Sequence, residues 1–305
     1  MTSRKPLLIV GSMAFDDLIL PSGEFSDVVG GAATYAALAA TIYTPTQIVA
    51  VVGADFPEAT LGALERRGCD LSGVARAAGK TFRWRGRYAA NLCSRETLDT
   101  QLNVFAEFQP ELPAAYRDTE YVLLGNIHPE LQLRVLAQVN RPKLVAADTM
   151  NFWITSERPK LLEVLRSIHL LVVNDEELRL LAGDHNLRRS AQAVLKLGPQ
   201  KLIVKRGDAG ALMFDGSGIF FTPAIPLHTE VDPTGAGDTF AGATLGYLAG
   251  HDRTDADALR HAMLVGSTVA SYCVEDVGCR STLRISQDDI RARLEELRSM
   301  IHLPL

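Results

Sequence analysis

The chain reads as an α/β fold, a mostly parallel sheet covered by helices on both faces and carrying a small β lid. Three observations predict it. Short apolar runs of strand length recur along the 305 residues, helix-period segments follow several of them, and two stretches of different character interrupt the rhythm. Repeated strand-then-helix order implies parallel strands buried on both sides. Ligands of such sheets bind at the carboxyl ends of the strands, so residues just after each strand are the ones to weigh.

The first strand is Leu7–Val10. With Arg4 and Lys5 before it the segment imitates a signal peptide, yet Asp16-Asp17 follow and no small-residue cleavage pattern does. The uncharged run from Val28 to Ala54 is long enough to span a membrane, but Gly30-Gly31, Pro45 and Gln47 divide it into a helix and a strand, Ile48–Val52. Further strands are expected at Tyr121–Leu124, Leu144–Ala146, Leu170–Val173 and Leu202–Val204. Glu58–Arg67, Pro129–Val139 and Pro159–Ile168 carry helical spacing. The interruptions are Leu18 to Val29, short and polar, and Thr81 to Phe108, which opens T-F-R-W-R-G-R-Y. Strict alternation means a half-exposed strand, with Phe82, Trp84 and Tyr88 on one face and Arg83, Arg85 and Arg87 on the other. Both are read as lid, roughly 16–29 and 81–108.

Composition is even, 47% hydrophobic and 22% charged, without a linker-like block, so a single domain over 1–305 is expected. A net charge of −5 and a pI of about 5.8 give no general affinity for nucleic acid or anionic membranes. The ligand should be small. Cys69, Cys93, Cys273 and Cys279 show neither CxxC spacing nor a zinc-like pattern, which fits reduced thiols in a cytoplasmic protein.

The chemistry concentrates in Val231–Gly242, V-D-P-T-G-A-G-D-T-F-A-G. Glycines let the backbone approach a ligand, and the small-residue helix that follows presents free N–H groups at Gly235, Ala236 and Gly237 with the positive end of its dipole behind them. Asp238 would stand beside anions held there. It suits a base that takes a proton from an attacking hydroxyl, or, more simply, an acid complementing the first turn. D-P-T-G-A-G-D-T-F-A-G resembles the C-terminal signature of the ribokinase-like, PfkB-type carbohydrate kinases. That resemblance implies a ribokinase-like three-layer α/β/α fold, Asp238 as base, and the amides of Gly235, Ala236 and Gly237 as anion hole.

The resemblance extends to other strand ends. Gly11-Ser12-Met13-Ala14-Phe15-Asp16 matches a G-x-x-x-x-D pattern whose acid grips the substrate, although Asp16-Asp17 by itself suits a turn. Gly30-Gly31-Ala32-Ala33-Thr34-Tyr35 is similar to the family's GG motif, which lines the acceptor site. Tyr35 stands where many members have Asn, and Ala32 where the ribokinase type has Lys, which argues against ribose itself. Asn174-Asp175-Glu176-Glu177 fits N-x-x-E, implying Asn174 near the nucleotide and Glu177 on Mg²⁺ through water. The same spacing is a helix capping box. Lys205-Arg206-Gly207 resembles the K-x-G segment near the nucleotide, and reads equally as a turn into Ala211–Phe214. Asp232 and Thr234 could offer oxygens to a monovalent cation such as K⁺. Many members pair through the lid, so a homodimer through those strands is a further expectation.

Gly73 to Thr81 mimics a P-loop but is one residue too long and precedes a strand-like run, and no GxGxxG stands between a strand and a helix. The resemblance implies transfer of the γ-phosphate of ATP, with Mg²⁺, to a hydroxyl of a small sugar or nucleoside. Sugar-phosphate or sugar-acid acceptors, and a non-catalytic nucleotide sensor, stay open. The aromatic face of Thr81–Tyr88 would suit a nucleobase and its arginine face an anionic sugar.

Overall fold

Strand β1 (Leu7–Val10) is buried at every residue and pairs in parallel on both edges, which is why LLIV shows no polar alternation. The other strands are β2 (Ala14–Leu20), β3 (Gly23–Gly30), β4 (Thr46–Val52), β5 (Cys69–Arg76), β6 (Phe82–Tyr88), β7 (Arg95–Gln101), β8 (Tyr121–Leu124), β9 (Leu144–Asp148), β10 (Leu170–Asn174), β11 (Lys201–Lys205), β12 (Ala211–Asp215) and β13 (Gly218–Thr222). Nine of them form one sheet in the order β13-β12-β11-β10-β9-β8-β1-β4-β5. From β11 to β5 the neighbours are parallel, while β12 and β13 turn back antiparallel at one edge. This computed structural model describes residues 4–302, so both ends of the expected 1–305 domain lie outside it.

The expected strands are present, and their exact ends matter. β9, β10 and β11 each run past the apolar stretch to finish on a polar residue, Asp148, Asn174 and Lys205. These three strands are adjacent, so the three side chains meet at one carboxyl edge. Strand β5 carries no clean alternation because it is an irregular edge strand, and Gly73 lies within it. That finding also removes the P-loop mimic.

The four remaining strands make the lid, in the order β3-β2-β6-β7. Asp16 and Asp17 lie within β2, contrary to the turn that such a pair favours, because β2 starts at Ala14 and is paired on both edges. A short turn of helix, Asn103–Glu107, follows the last lid strand.

Two helices rich in small residues lie side by side on the sheet, Ala32–Ala40 and Ala236–His251. A Cβ at Gly242 would overlap Ala36, one at Gly246 would meet Ala40, and one at Gly250 would meet Tyr43. These contacts advance in step along both helices. The helices therefore run parallel, with their N-termini at the same end. Among the described residues no helix is long and apolar enough to cross a membrane.

Candidate active site

The long helix begins at Ala236, with Gly235 as its N-cap in the left-handed region at φ 76°. A Cβ at Gly235 would overlap the ring of Tyr35, so glycine is required there twice over. Among the described residues the amides of Gly237 and Asp238 have no backbone acceptor, as a helix start leaves them. Ala236 differs from expectation, since its N–H donates to Pro233 O at 3.2 Å. Asp232 braces the approach: it is fully buried, and its two oxygens accept from Thr234 N and Gly278 N, each at 2.9 Å. The Asp232 and Thr234 side chains expected to serve a cation are thus engaged with protein.

Asp238 is half-buried in the first turn of that helix. Burial and the nearby charge of Asp148 push its carboxyl up to about 6, against the opposing pull of Lys205 and Arg95. Asp16 is more confined, 4% exposed on β2. A Cβ at Gly30 would overlap its carboxylate, which accounts for that glycine. Burial, then Asp232, Asp238 and Asp17, raise Asp16 to about 8. Gly31 caps the helix Ala32–Ala40. Tyr35 lies beneath Gly235 at 1% exposure, and among the described residues its hydroxyl has no hydrogen-bond partner. It supports the loop from below and presents no open face to a ligand.

On the other side of Asp238, Lys205 Nζ stands 2.9 Å from Asp148 Oδ2. Burial pulls the ammonium down, but Asp148, Glu177 and Asp238 together hold it above its ordinary value. Its stem passes Gly237, where an added Cβ would lie 3.1 Å from Nζ. Asn174 and Glu177 form the full capping box, with Glu177 N to Asn174 Oδ1 and Asn174 N to Glu177 Oε2 both at 2.8 Å. Burial and Asp148 raise Glu177 to about 7. Such a cluster of crowded acids suits a divalent cation nearby. Among the described residues no three His, Cys, Asp or Glu side chains converge to bind one directly. Gly207 begins a short turn, with open space where a Cβ would be. The chain then enters β12, as the turn reading expects.

The lid shows which face looks inward. In the register of β2 and β6, Asp16 lies beside Trp84, and Leu18 beside Gly86. Tyr88 is buried, with its hydroxyl 2.9 Å from Thr234 Oγ1, and it shares an apolar cluster with Leu18, Leu20 and Val277. The aromatic face therefore meets the loop. The opposite face is held elsewhere: Arg83 bonds Asp17 and Asp27, and Arg87 reaches Glu96. Phe82 packs against Phe105 with ring centroids 5.4 Å apart, which leaves Trp84 as the half-buried aromatic beside Asp16.

Two charged residues join the site without belonging to any motif. Asp148 follows the expected strand end by two residues, so the strand-end rule was the one signal for it. Arg95 is set opposite Tyr88 by the pairing of β6 with β7, and its guanidinium lies 5.8 Å from the Trp84 ring. It forms no ion pair among the described residues, and its charge lowers the carboxyls of Asp16, Glu177 and Asp238. Only register reveals its facing.

The family model described as pfkB family carbohydrate kinase matches residues 7–285. A cytidine kinase of Thermococcus kodakarensis is 31% identical over 254 residues, spanning 81% of this chain and 88% of its own. Among solved structures, the nucleoside kinase of Methanocaldococcus jannaschii superimposes with a TM-score of 0.74 at 20% identity, covering 96% of this chain and 98% of that one. An E. coli structure assigned to ribokinase II, in complex with ATP and Mg²⁺, gives 0.78 at 19% identity, covering 96% and 99%. These likenesses establish the ribokinase fold, with its large mostly parallel sheet and small lid.

Proposed function

The chain belongs to the pfkB family of carbohydrate kinases, and on that premise we propose that it moves the γ-phosphate of ATP to the primary hydroxyl of a nucleoside. One observation carries the choice of acceptor. The lid face turned toward Asp16 and Thr234 is the one bearing Trp84 and Tyr88, and the Arg83, Arg85 and Arg87 face is turned away. A carboxyl group beside a flat aromatic matches a ribose diol beside a base. The T. kodakarensis relative, a cytidine kinase, supports the same class.

In this reading the polyphosphate lies along the helix start, where Gly235 and Gly237, with the amide of Asp238 itself, supply donors in place of the engaged Ala236. Asp238 accepts the proton of the primary hydroxyl as that oxygen attacks the γ-phosphorus in line, and the bond from phosphorus to the bridging oxygen breaks to release ADP. Lys205, fixed by Asp148, places a cation beside Gly237, and Gly207 leaves space for the nucleotide. Glu177 and Asn174 hold the strand end toward which hydrated Mg²⁺ would sit. Mg²⁺ held there would supply positive charge that offsets the charge of the phosphates. The parallel N-termini of Ala32–Ala40 and Ala236–His251 bring Gly30-Gly31 and the phosphate loop together, so acceptor and donor meet at one point.

Arg95 favours a second reading. As an inward cation it would suit a sugar phosphate or sugar acid. The test is ATP consumption with product identification against cytidine, other nucleosides, free sugars, sugar phosphates and sugar acids. Phosphorylation of nucleosides with the highest kcat/KM supports the proposal. A preference for anionic sugars selects the second reading, and tight ATP binding without turnover on any acceptor selects the sensor.

A further inference from the structure

The turn leading into the phosphate loop is gripped from the lid by one hydroxyl pair. Thr234 Oγ1 donates to Tyr88 Oη at 2.9 Å, across 146 positions of sequence. Both side chains are buried, Thr234 at 7% and Tyr88 at 8% exposure. The other polar groups of the turn are committed to the body of the protein. Thr234 N donates to Asp232 Oδ1, Asp232 Oδ2 accepts from Gly278 N, and Thr234 O accepts from Cys273 Sγ at 3.5 Å. Around the pair Leu18, Leu20 and Val277 are buried, with Val231 and Trp84 against them. Phenylalanine would fill that apolar space as well as tyrosine. The hydroxyl adds one directional link, and a buried hydroxyl left without a partner is costly.

We propose that Tyr88 is a positioning residue: its hydrogen bond with Thr234 fixes the lid against the loop, so that lid seating over the acceptor and the placement of the phosphate-binding amides are set together. Arg95, its partner across the lid, and Trp84 on the same face are carried by the same seat. This rests on the phosphoryl-transfer reading above. A loosened seat admits water as a competing acceptor. In that side reaction water oxygen bonds to the γ-phosphorus, the bond from phosphorus to the bridging oxygen of ADP breaks, and ADP, inorganic phosphate and a proton are released.

The test compares the wild type with Tyr88→Phe, Thr234→Val, Thr234→Ser and the double variant Tyr88→Phe/Thr234→Val, all as full chains with Mg²⁺ and ATP. The readout is the ratio of inorganic phosphate to phosphorylated acceptor, with separate KM values for ATP and acceptor. Tyr88→Phe should raise that ratio about 3- to 10-fold, the range a single lost hydrogen bond gives. It should also raise the acceptor KM more than the ATP KM. Thr234→Ser should keep the wild-type ratio. The double variant should be no worse than the worse single one, because one link is lost only once. An unchanged ratio in Tyr88→Phe, or additive losses in the double variant, overturns the proposal. Should the wild type phosphorylate no acceptor, the function reading fails, and hydrogen exchange still reads the link. Mg²⁺ and ATP should then protect residues 82–88 in the wild type and not in Tyr88→Phe. Equal protection in both overturns it.

Discussion

Lys205 and Asp148 face each other at 2.9 Å across the end of β10, the strand that separates theirs. Their side chains are 18% and 9% exposed, so neither charge is well solvated once its partner is gone. Removing one side of a buried pair costs about 3–5 kcal/mol, whereas removing both charges together costs far less. Lys205→Met should therefore lower unfolding stability by about 3 kcal/mol and raise the KM for ATP. Lys205→Met/Asp148→Asn should regain most of the stability and none of the ATP affinity. Chemical denaturation and initial-rate kinetics on the three proteins check both halves. Equal stability of the single and double variants would show that the pair is screened by water.

Asp238 must be ionised to act as a base, and burial with Asp148 raises its carboxyl to about 6. Protonation below that value removes the base, so kcat/KM should fall about tenfold per pH unit on the acid side. Asp238→Asn should lower kcat by roughly 10²-fold or more with ATP affinity largely kept. Its residual activity should lack the acid limb near 6. Unchanged turnover in the variant would remove Asp238 from the role.

Asp16 gives a different pH signature, in stability. Its folded carboxyl is raised to about 8 from an ordinary 3.8, so the folded protein holds a proton that the unfolded chain has released. Stability linked to this group is fully present at acid pH and lost as pH climbs through the folded value. Asp16→Asn carries no such charge. The Tm of the variant should thus gain on the wild type between about pH 4 and 8, and the gap should level off above that. A gap independent of pH would mean that Asp16 ionises normally.

The parallel strands of the central sheet were legible because they are apolar on both faces and the helices that follow several of them keep their period. Asp238, Glu177 and Lys205 were legible because their motifs are local in sequence. What sequence conceals is whatever register decides. Trp84 beside Asp16, Arg95 opposite Tyr88, and the hydroxyl contact to Thr234 all depend on how four lid strands align. Tyr35 shows a related limit. A motif position pointed to the acceptor site, but the close approach of Gly235 turns the residue into a support for the loop. Periodicity likewise gave no reason for the glycines at 242 and 246, which a neighbouring helix requires.

Trp84 offers the sharpest separation of acceptor classes. Its indole crosses Gly86, where an added Cβ would overlap the ring, and Nε1 donates to Thr97 Oγ1 at 3.2 Å, so the ring is held flat on the inward face of the lid. Asp16 is its neighbour in register, which puts the carboxyl proposed to bind a diol next to an aromatic plane. A base stacked there contributes roughly 1–3 kcal/mol, so Trp84→Ala should raise the nucleoside KM by about 5- to 100-fold. The KM for ATP should stay within about twofold, and any activity on free ribose should be unaffected, since ribose has no base to lose. Arg95→Ala is the counterpart: it should weaken an anionic sugar far more than a neutral nucleoside, because the guanidinium is the inward cation of the lid. Acceptor KM values for both variants, measured on a nucleoside, a free sugar and a sugar phosphate, distinguish the cases. Equal losses on all three acceptors after Trp84→Ala would mean that the ring shapes the lid and does not stack on a base.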